Sequence, residues 1–409
     1  MGLLSKFFTQ PKNAVSLNDF FKSVPNTNAG EVITNEGALN LSPIYAAVNL
    51  KANSLAKLPI HVYRKTEKGR ERVYDHPVAQ LLSGRVNPLM STFTFVHLLQ
   101  THRGTEGVHY SRINTDRKGK VIGLYPLNPS RVDIVEDISG KIFYVESTKD
   151  GKTNVYNQEE LLVITYLTTD GITPKSPIDV LRETAGLITA QDRYITSFYS
   201  QGTLTRGVLK IPTQLSKDAK DAVRRHWMEA NSKGNEQKVA VLDSGMEFQN
   251  ITLNLADQEF LASRKFSIEE IARAYNIPLH MLNSLESATF NNIEQMTMSF
   301  VMDTLMPEAI AIEQELNYKL FTPSEQKQGL YVKFNLSSAM RADSVARSQF
   351  YKTMIEAGIY SINEIRKFEE MNAIENGDKH YRSLNFIDID SADEYQKAKA
   401  GVEQGSPKK

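Results

Sequence analysis

Gly151-Lys152-Thr153 is the fragment of this sequence that most resembles a phosphate-binding loop. Such a loop needs a further glycine five positions before Gly151, so that consecutive backbone N–H groups can wrap a phosphate, and Glu146 stands there. The spacing predicts a β-turn instead. Of the eight histidines, His97 and His102 share a predicted helix. Five residues of helix turn their side chains about 140° apart, which is wrong for one metal ion. Asp388, Asp390, Asp393 and Glu394 form an acidic run that reads as a solvated tail rather than a cation site. The chain has no cysteine, which removes disulfides, thiolate catalysis and zinc–thiolate sites together. No serine lies in a G-x-S-x-G elbow. The residues therefore point to no catalytic centre, no metal and no cofactor. Two features suit binding instead. Lys217, Lys220, Arg224 and Arg225 give one helix a basic flank beside Trp227, either a docking surface for a partner or phosphates, or a plain solvated face. Met296, Met298, Met302 and Met306 line a second helix, as adaptable core or subunit packing.

The elements that carry these residues read as an α+β chain. At 409 residues it exceeds one core, so two or three domains are expected. Lys+Arg 48 balances Asp+Glu 48. A surface that gripped nucleic acid throughout would be visibly basic, since each neutralised phosphate adds about 0.9 to the salt slope. No run approaches the ~20 apolar residues of a membrane span. The start, MGLLSKFFTQPKN, has too short an apolar run for a signal peptide, and Lys6 breaks the myristoylation pattern. It reads as a flexible end or a small docking helix, and residues 1–40 as an irregular arm.

Order begins at a helix capped by Ser42, with Pro43 in its first turn and Pro59 ending it. A strand over Ile60–Tyr63 and helices over His76–Leu82 and Thr92–His102 follow. From Gly107 to Thr168, short alternating runs separated by turn clusters predict a β meander. A helix of about 25 residues, roughly 38 Å long, starts at Ser176-Pro177 and is capped by Gly202. A compact insert comes next, with strands Gly207–Ile211, Val239–Leu242 and Met246–Ile251 and a helix over Ser216–Asn231. A second long helix carries Phe260, Leu261, Ile268, Ile271, Ala272 and Tyr275 and stops at Pro278. After a polar loop (Asn283, Ser284, Leu285, Glu286, Ser287, Ala288, Thr289, Phe290), the chain re-enters a helix that Pro307 should kink. A strand over Tyr331–Leu336, helices over Ala342–Ala357 and Ser361–Met371, and a polar tail complete it.

Over roughly residues 40–390 this ordered series resembles the portal proteins of tailed bacteriophages, in the branch typified by phage HK97. The resemblance runs through SPIYAAVNLKANSLAKLPIHVYR (Ser42–Arg64), DHPVAQLL (Asp75–Leu82), LYPLNPSRV (Leu124–Val132) and Ser176-Pro177-Ile178. It is strongest in EEIARAYNIPLHML followed by TFNNIEQ, Pro307 and Glu313, and continues in Arg341-Ala342-Asp343, Asn363-Glu364-Ile365-Arg366 and Gly377-Asp378. Val86 replaces the usual proline of R-P-N-P, and Val163-Ile164 sits where a histidine often stands. The resemblance implies a ring, typically of twelve subunits, at one capsid vertex. Residues 41–175 and 291–336 would form the wing, 176–202 and 254–278 the two stem helices, and 203–253 the clip. Residues 279–290 would be a tunnel loop whose Asn283–Phe290 face DNA, 337–390 the crown and 391–409 a disordered tail. Double-stranded DNA would pass through during packaging and ejection. The clip would dock the terminase large subunit and later the head–tail adaptor, and the major capsid protein would surround the ring. The resemblance implies no enzyme and no membrane, and a virion component assembled in the host cytoplasm. The loop's single acid, Glu286, and its lack of Lys or Arg suit contact with DNA that must slide. The competing readings are a soluble hydrolase with an unrecognised acid/base pair, and another virion ring component such as a tail adaptor.

Overall fold

The computed structural model describes residues 15–16, 26–67, 69–200, 207–211, 216–230, 246–250, 257–282, 290–336, 344–369 and 371–381. They divide into two units, Met1–Leu336 and Ser337–Lys409. In the first, strand β1 (Val15–Ser16) is followed by an Asn26–Val32 bridge and helix α1 (Asn35–Ala38), capped by Thr34, which accepts from Gly37 N–H at 3.0 Å. The arm expected to be irregular is thus ordered in part.

Helix α2 (Ser42–Ala56) takes Ser42 as its first residue; Leu41 occupies the cap and offers no side-chain bond, which corrects the expected Ser42 cap. The helix closes on Lys57, before Pro59 is reached. Strands β2 (Ile60–Thr66) and β3 (Gly69–Val73) form a hairpin. Helix α3 (Pro77–Ser83) is capped by the His76 ring, whose Nδ1 accepts from Val78 N–H at 3.2 Å. A short hairpin, β4 (Arg85–Asn87) and β5 (Met90–Ser91), leads into α4 (Thr92–Thr105), which Ser91 caps.

The expected meander is two sheets. Strands β6 (Val108–Thr115) and β7 (Val121–Leu127) pair, then β8 (Val132–Glu136), β9 (Ile142–Ser147) and β10 (Thr153–Asn157) pair among themselves, and β11 (Leu161–Thr165) returns to β6. The switch lies at the 3-10 turn Pro129–Arg131, which Asn128 caps, turning the chain off β7 before β8 begins. Tyr110, Leu127, Ile134, Tyr144 and Leu161 pack into one core cluster drawn from both sheets. Strand β10 escapes a sequence reading because its first half, Thr153-Asn154, is exposed and polar.

The long helix that starts at Ser176 is interrupted. Helix α5 (Pro177–Val180) ends at Leu181 and α6 (Arg182–Ser200) continues. The insert contributes β12 (Gly207–Lys210), α7 (Lys217–Ala230) and β13 (Glu247–Asn250), with β12 and β13 antiparallel; the strand expected over Val239–Leu242 lies outside the described residues, as does Gly202. Helix α8 (Asp257–Ala274) then runs antiparallel to α6. Thr184 donates to Glu270 (2.8 Å), Gln191 to Ser263 (2.9 Å) and Arg264 to Asp192 (2.5 Å), positions rising on one helix as they fall on the other. Residues of the N-terminal arm lie along α6: Arg193 reaches Glu31 at 2.6 Å, and a Cβ on Gly186 would meet the Thr27 side chain at 2.5 Å.

Helix α9 (Phe290–Ser299), a π-helical stretch (Phe300–Leu305), α10 (Met306–Leu320) and α11 (Pro323–Lys327) lead to β14 (Leu330–Phe334), which pairs with β2. Five small sheets result among the described residues, and none closes into a barrel. The second unit holds α12 (Ser344–Glu356) and α13 (Ile362–Phe368), the latter opened by a Ser361/Glu364 capping box. Among the described residues no helix is long and apolar enough to cross a membrane.

Candidate functional site

The two described ends of the polar loop meet at a joint. Helix α8 ends at Ala274, short of Pro278, and the chain turns at Asn276, which adopts φ 53°. Its N–H bonds to Arg273 O (3.1 Å) and that of Ile277 to Ala272 O (2.8 Å), so a left-handed residue turns the chain and satisfies the last carbonyls. Asparagine tolerates this conformation better than other side chains with a Cβ. Pro278 merely follows. On the far side of the loop, the distortion expected at Pro307 is spread over the π-helical stretch upstream, where Met306 N–H bonds back to Val301 O. Proline has no N–H for the carbonyl four residues earlier, that of Asp303. Asn276 supplies the donor instead: its Nδ2 reaches Asp303 O (3.3 Å) and Thr304 Oγ1 (3.0 Å), while Thr304 Oγ1 donates to Asn276 O (2.6 Å). The turn that follows α8 and the π-helical stretch that precedes α10 are thereby clasped, with residues 277–302 between them.

Beneath the joint lies a buried charge cluster. Glu308 of α10 pairs with Lys51 of α2 and, at 3.4 Å, with Arg103 of α4; Gln100 also donates to its carboxylate. All four are under a tenth exposed. Lys51 sits 5.0 Å from the Tyr166 ring centre and 5.8 Å from that of Tyr275, whose hydroxyl donates to Gly104 O at 2.8 Å. Two cations share one carboxylate, and Arg103 Nε has no partner. Burial lowers the Arg103 guanidinium below its usual range, against the pull of Glu308 and Tyr166. Nearby, His102 Nδ1 faces His109 Nδ1 at 3.1 Å, and His109 Nε2 contacts Ser111 Oγ at 2.7 Å. Burial holds His102 down to about 4; burial, then His102 and Arg103, put His109 well below its ordinary value. Both rings are neutral and in complementary tautomers, one donating and one accepting.

The phage portal protein profile matches residues 42–370, more than half of the chain, from α2 through the joint to α13. The chain belongs to the phage portal protein family. Its function is that family's: a portal at a capsid vertex, with a role in DNA packaging. It is 26% identical over 362 residues to the portal protein of Enterobacteria phage HK97, covering 87% of this chain and 85% of that one. A crystal structure of an HK97 family phage portal protein from Corynebacterium diphtheriae shares the fold at a TM-score of 0.57 and 18% identity, over 76% of this chain and 97% of that one. A chain from the neck of a native gene transfer agent particle, computed with C12 symmetry, aligns at 0.55 and 18% identity, over 81% and 91%.

Against this portal fold, the residues singled out by sequence fall as follows. Asn283 to Thr289 lie outside the described residues; Phe290 opens α9. Lys217, Lys220, Arg224 and Arg225 are exposed on α7 and interleaved with acids: Arg224 meets Asp221 at 3.5 Å, and Arg225 Nε reaches Asp221 O at 3.4 Å. Trp227 lies on the same helix, its side chain outside the description. Gly151 is the left-handed residue of the β9–β10 turn, as the β-turn reading requires. His97 bonds Asn49 at 3.2 Å while His102 turns to His109, so the two diverge as the helical angle predicts. The acidic run 388–394 lies outside the description, and among the described residues no group of three His, Cys, Asp or Glu could hold a metal. Met296, Met298 and Met302 are each more than two-fifths exposed, which excludes the core reading. Asn276 and Glu308 went unread: an asparagine two residues before a proline was the signal for the first, and nothing local marks Glu308 as buried.

Proposed function

We propose that this chain assembles into a closed ring, of twelve copies, that seats in the major capsid protein shell and passes double-stranded DNA along its axis. The observation that carries the reading is the family match running unbroken from residue 42 to residue 370. The C12 symmetry of the gene transfer agent neck supports the subunit number. In this reading α6 and α8 form the stem and the insert between them the clip. The clip docks the terminase large subunit and later the head–tail adaptor, with Lys217, Lys220, Arg224, Arg225 and Trp227 as its contact helix. Asn283–Phe290 touch DNA, on a segment rooted by the Asn276 clasp. The exposed methionines of α9 and the π-helical stretch pack against the neighbouring subunit, since a heterologous ring needs a complementary face on each flank. The chain acts without catalysis of its own, and ATP hydrolysis resides in the terminase. The ring assembles in the host cytoplasm.

Negative-stain imaging and native mass spectrometry of purified protein test this. Rings with an axial hole are expected, and a monodisperse monomer under all conditions would sink the reading. Deleting Glu286–Thr289 is expected to leave rings intact while lowering DNA packaging; loss of rings would reassign the loop to assembly.

A further inference from the structure

The sheet β14-β2-β3 has two unlike faces. Across the registered pairs, Ile60, Val62, Leu330, Val332 and Phe334 fall on one side and are buried. The other side takes every alternate residue. There Lys65 lies opposite Arg70, Tyr63 stands between Arg72 and Tyr331, and Lys333 lies opposite His61. The four cations on this side are exposed. Among the registered strand residues no carboxylate shares the face: Glu71 points to the opposite side, where it pairs with Arg64 at 3.4 Å. Glu313, at the free edge of β14 near Lys333, is engaged by Phe334 N–H at 2.7 Å. In a chain whose formal charge sums to zero, this is local segregation of charge.

Aromatic rings hold the two arginines in place. Tyr63 and Tyr331 lie 5.8 Å apart, and the Arg70 guanidinium sits 4.8 Å over Tyr63. Arg72 sits 4.8 Å over Tyr74. Guanidinium groups laid on rings keep their planar fork directed outward at little entropic cost, which suits bidentate contact with phosphate oxygens.

We infer that this face binds the phosphate backbone of double-stranded DNA, without sequence preference and as a site separate from residues 283–290. A single strand is the poorer occupant, because the ring faces that would stack its bases are already covered by Arg70, Arg72 and a neighbouring tyrosine. An acidic protein surface is poorer too, since this face offers no apolar pocket for an anchoring side chain. One subunit makes few contacts and binds weakly; a ring repeats the face and multiplies the affinity. The inference does not require the ring.

The test is fluorescence anisotropy of a labelled random-sequence duplex on purified protein, titrated between about 50 and 200 mM salt. Replacing Lys65, Arg70, Arg72 and Lys333 together by Ala is expected to weaken binding at low salt at least about tenfold. It should flatten the log–log salt slope by up to about 3.5 per subunit, at about 0.9 per lost phosphate contact. The conservative pair Arg70→Lys and Arg72→Lys should keep most of the slope, which separates charge from packing. Lys149→Ala with Lys152→Ala, exposed on the β9–β10 turn, should leave it unchanged. An unaltered slope in the fourfold variant overturns the inference. So does tighter binding of single strands or of polyglutamate than of duplex, and so does an equal loss in the β9–β10 turn variant. Ring imaging of the same samples reads the channel proposal separately.

Discussion

Glu308 is the residue on which the buried charges depend. Replacing it by Gln keeps the shape but leaves Lys51 and Arg103 without their carboxylate in a dry interior. Breaking a buried pair from one side costs about 3–5 kcal/mol, and urea unfolding of Glu308→Gln should show a loss of that order. Adding Lys51→Met removes one stranded cation and should recover part of it; additive losses would mean that the three side chains are not coupled. The His102–His109 pair carries a pH signature. Burial lowers the folded value of His102 to about 4 from 6.5, so the unfolded chain binds the extra proton first. Stability should be complete above pH 6.5 and fall as pH drops towards 4, by roughly 3 kcal/mol from His102; His109 adds in the same direction. Urea midpoints at pH 7 and pH 4.5 check it, and a His109→Asn/His102→Asn variant should lose most of the difference. At this scale the helical angle between His97 and His102 was readable, because it is local. That His102 meets a strand residue seven positions on was not.

The joint at Asn276 is a matter of elements rather than of one bond. Asn276→Gly keeps the left-handed turn and loses the donor to Asp303 O, a loss of about 1 kcal/mol. Asn276→Ala loses the donor and must also hold a Cβ in the left-handed region, about 1–2 kcal/mol more. Equal midpoints for the two variants would show that the turn carries no conformational cost. Prolines drew attention to both ends of this joint but misplaced the events. Pro278 follows a helix already ended by Asn276, and the distortion ahead of Pro307 extends back to Phe300. Helix starts were legible where the pattern is local, as at Thr92, Ser176-Pro177 and Ser361, although the cap read at Ser42 falls on Leu41. Sheet membership was not: five runs of alternating residues look alike, and only the turn at Pro129–Arg131 assigns them to two sheets.

At the scale of the molecule, the order of segments was the readable quantity and the long-range closures were not. Nothing in Leu330–Phe334 names β2 as its partner, because that register depends on how α10 delivers the strand after a long excursion. Yet this closure carries a consequence for engineering. The chain leaves the β11-β6-β7 sheet after β11 and returns through β14 to β2, and on the way out and back α6 and α8 travel side by side in opposite directions. In the proposed stem-and-clip reading, the segment between α6 and α8 is a detachable head on a paired handle. Exchanging it for a short glycine–serine bridge should leave a soluble, cooperatively melting remainder. The same seam would accept a foreign module, giving a vertex component that could be retargeted without redesigning its body.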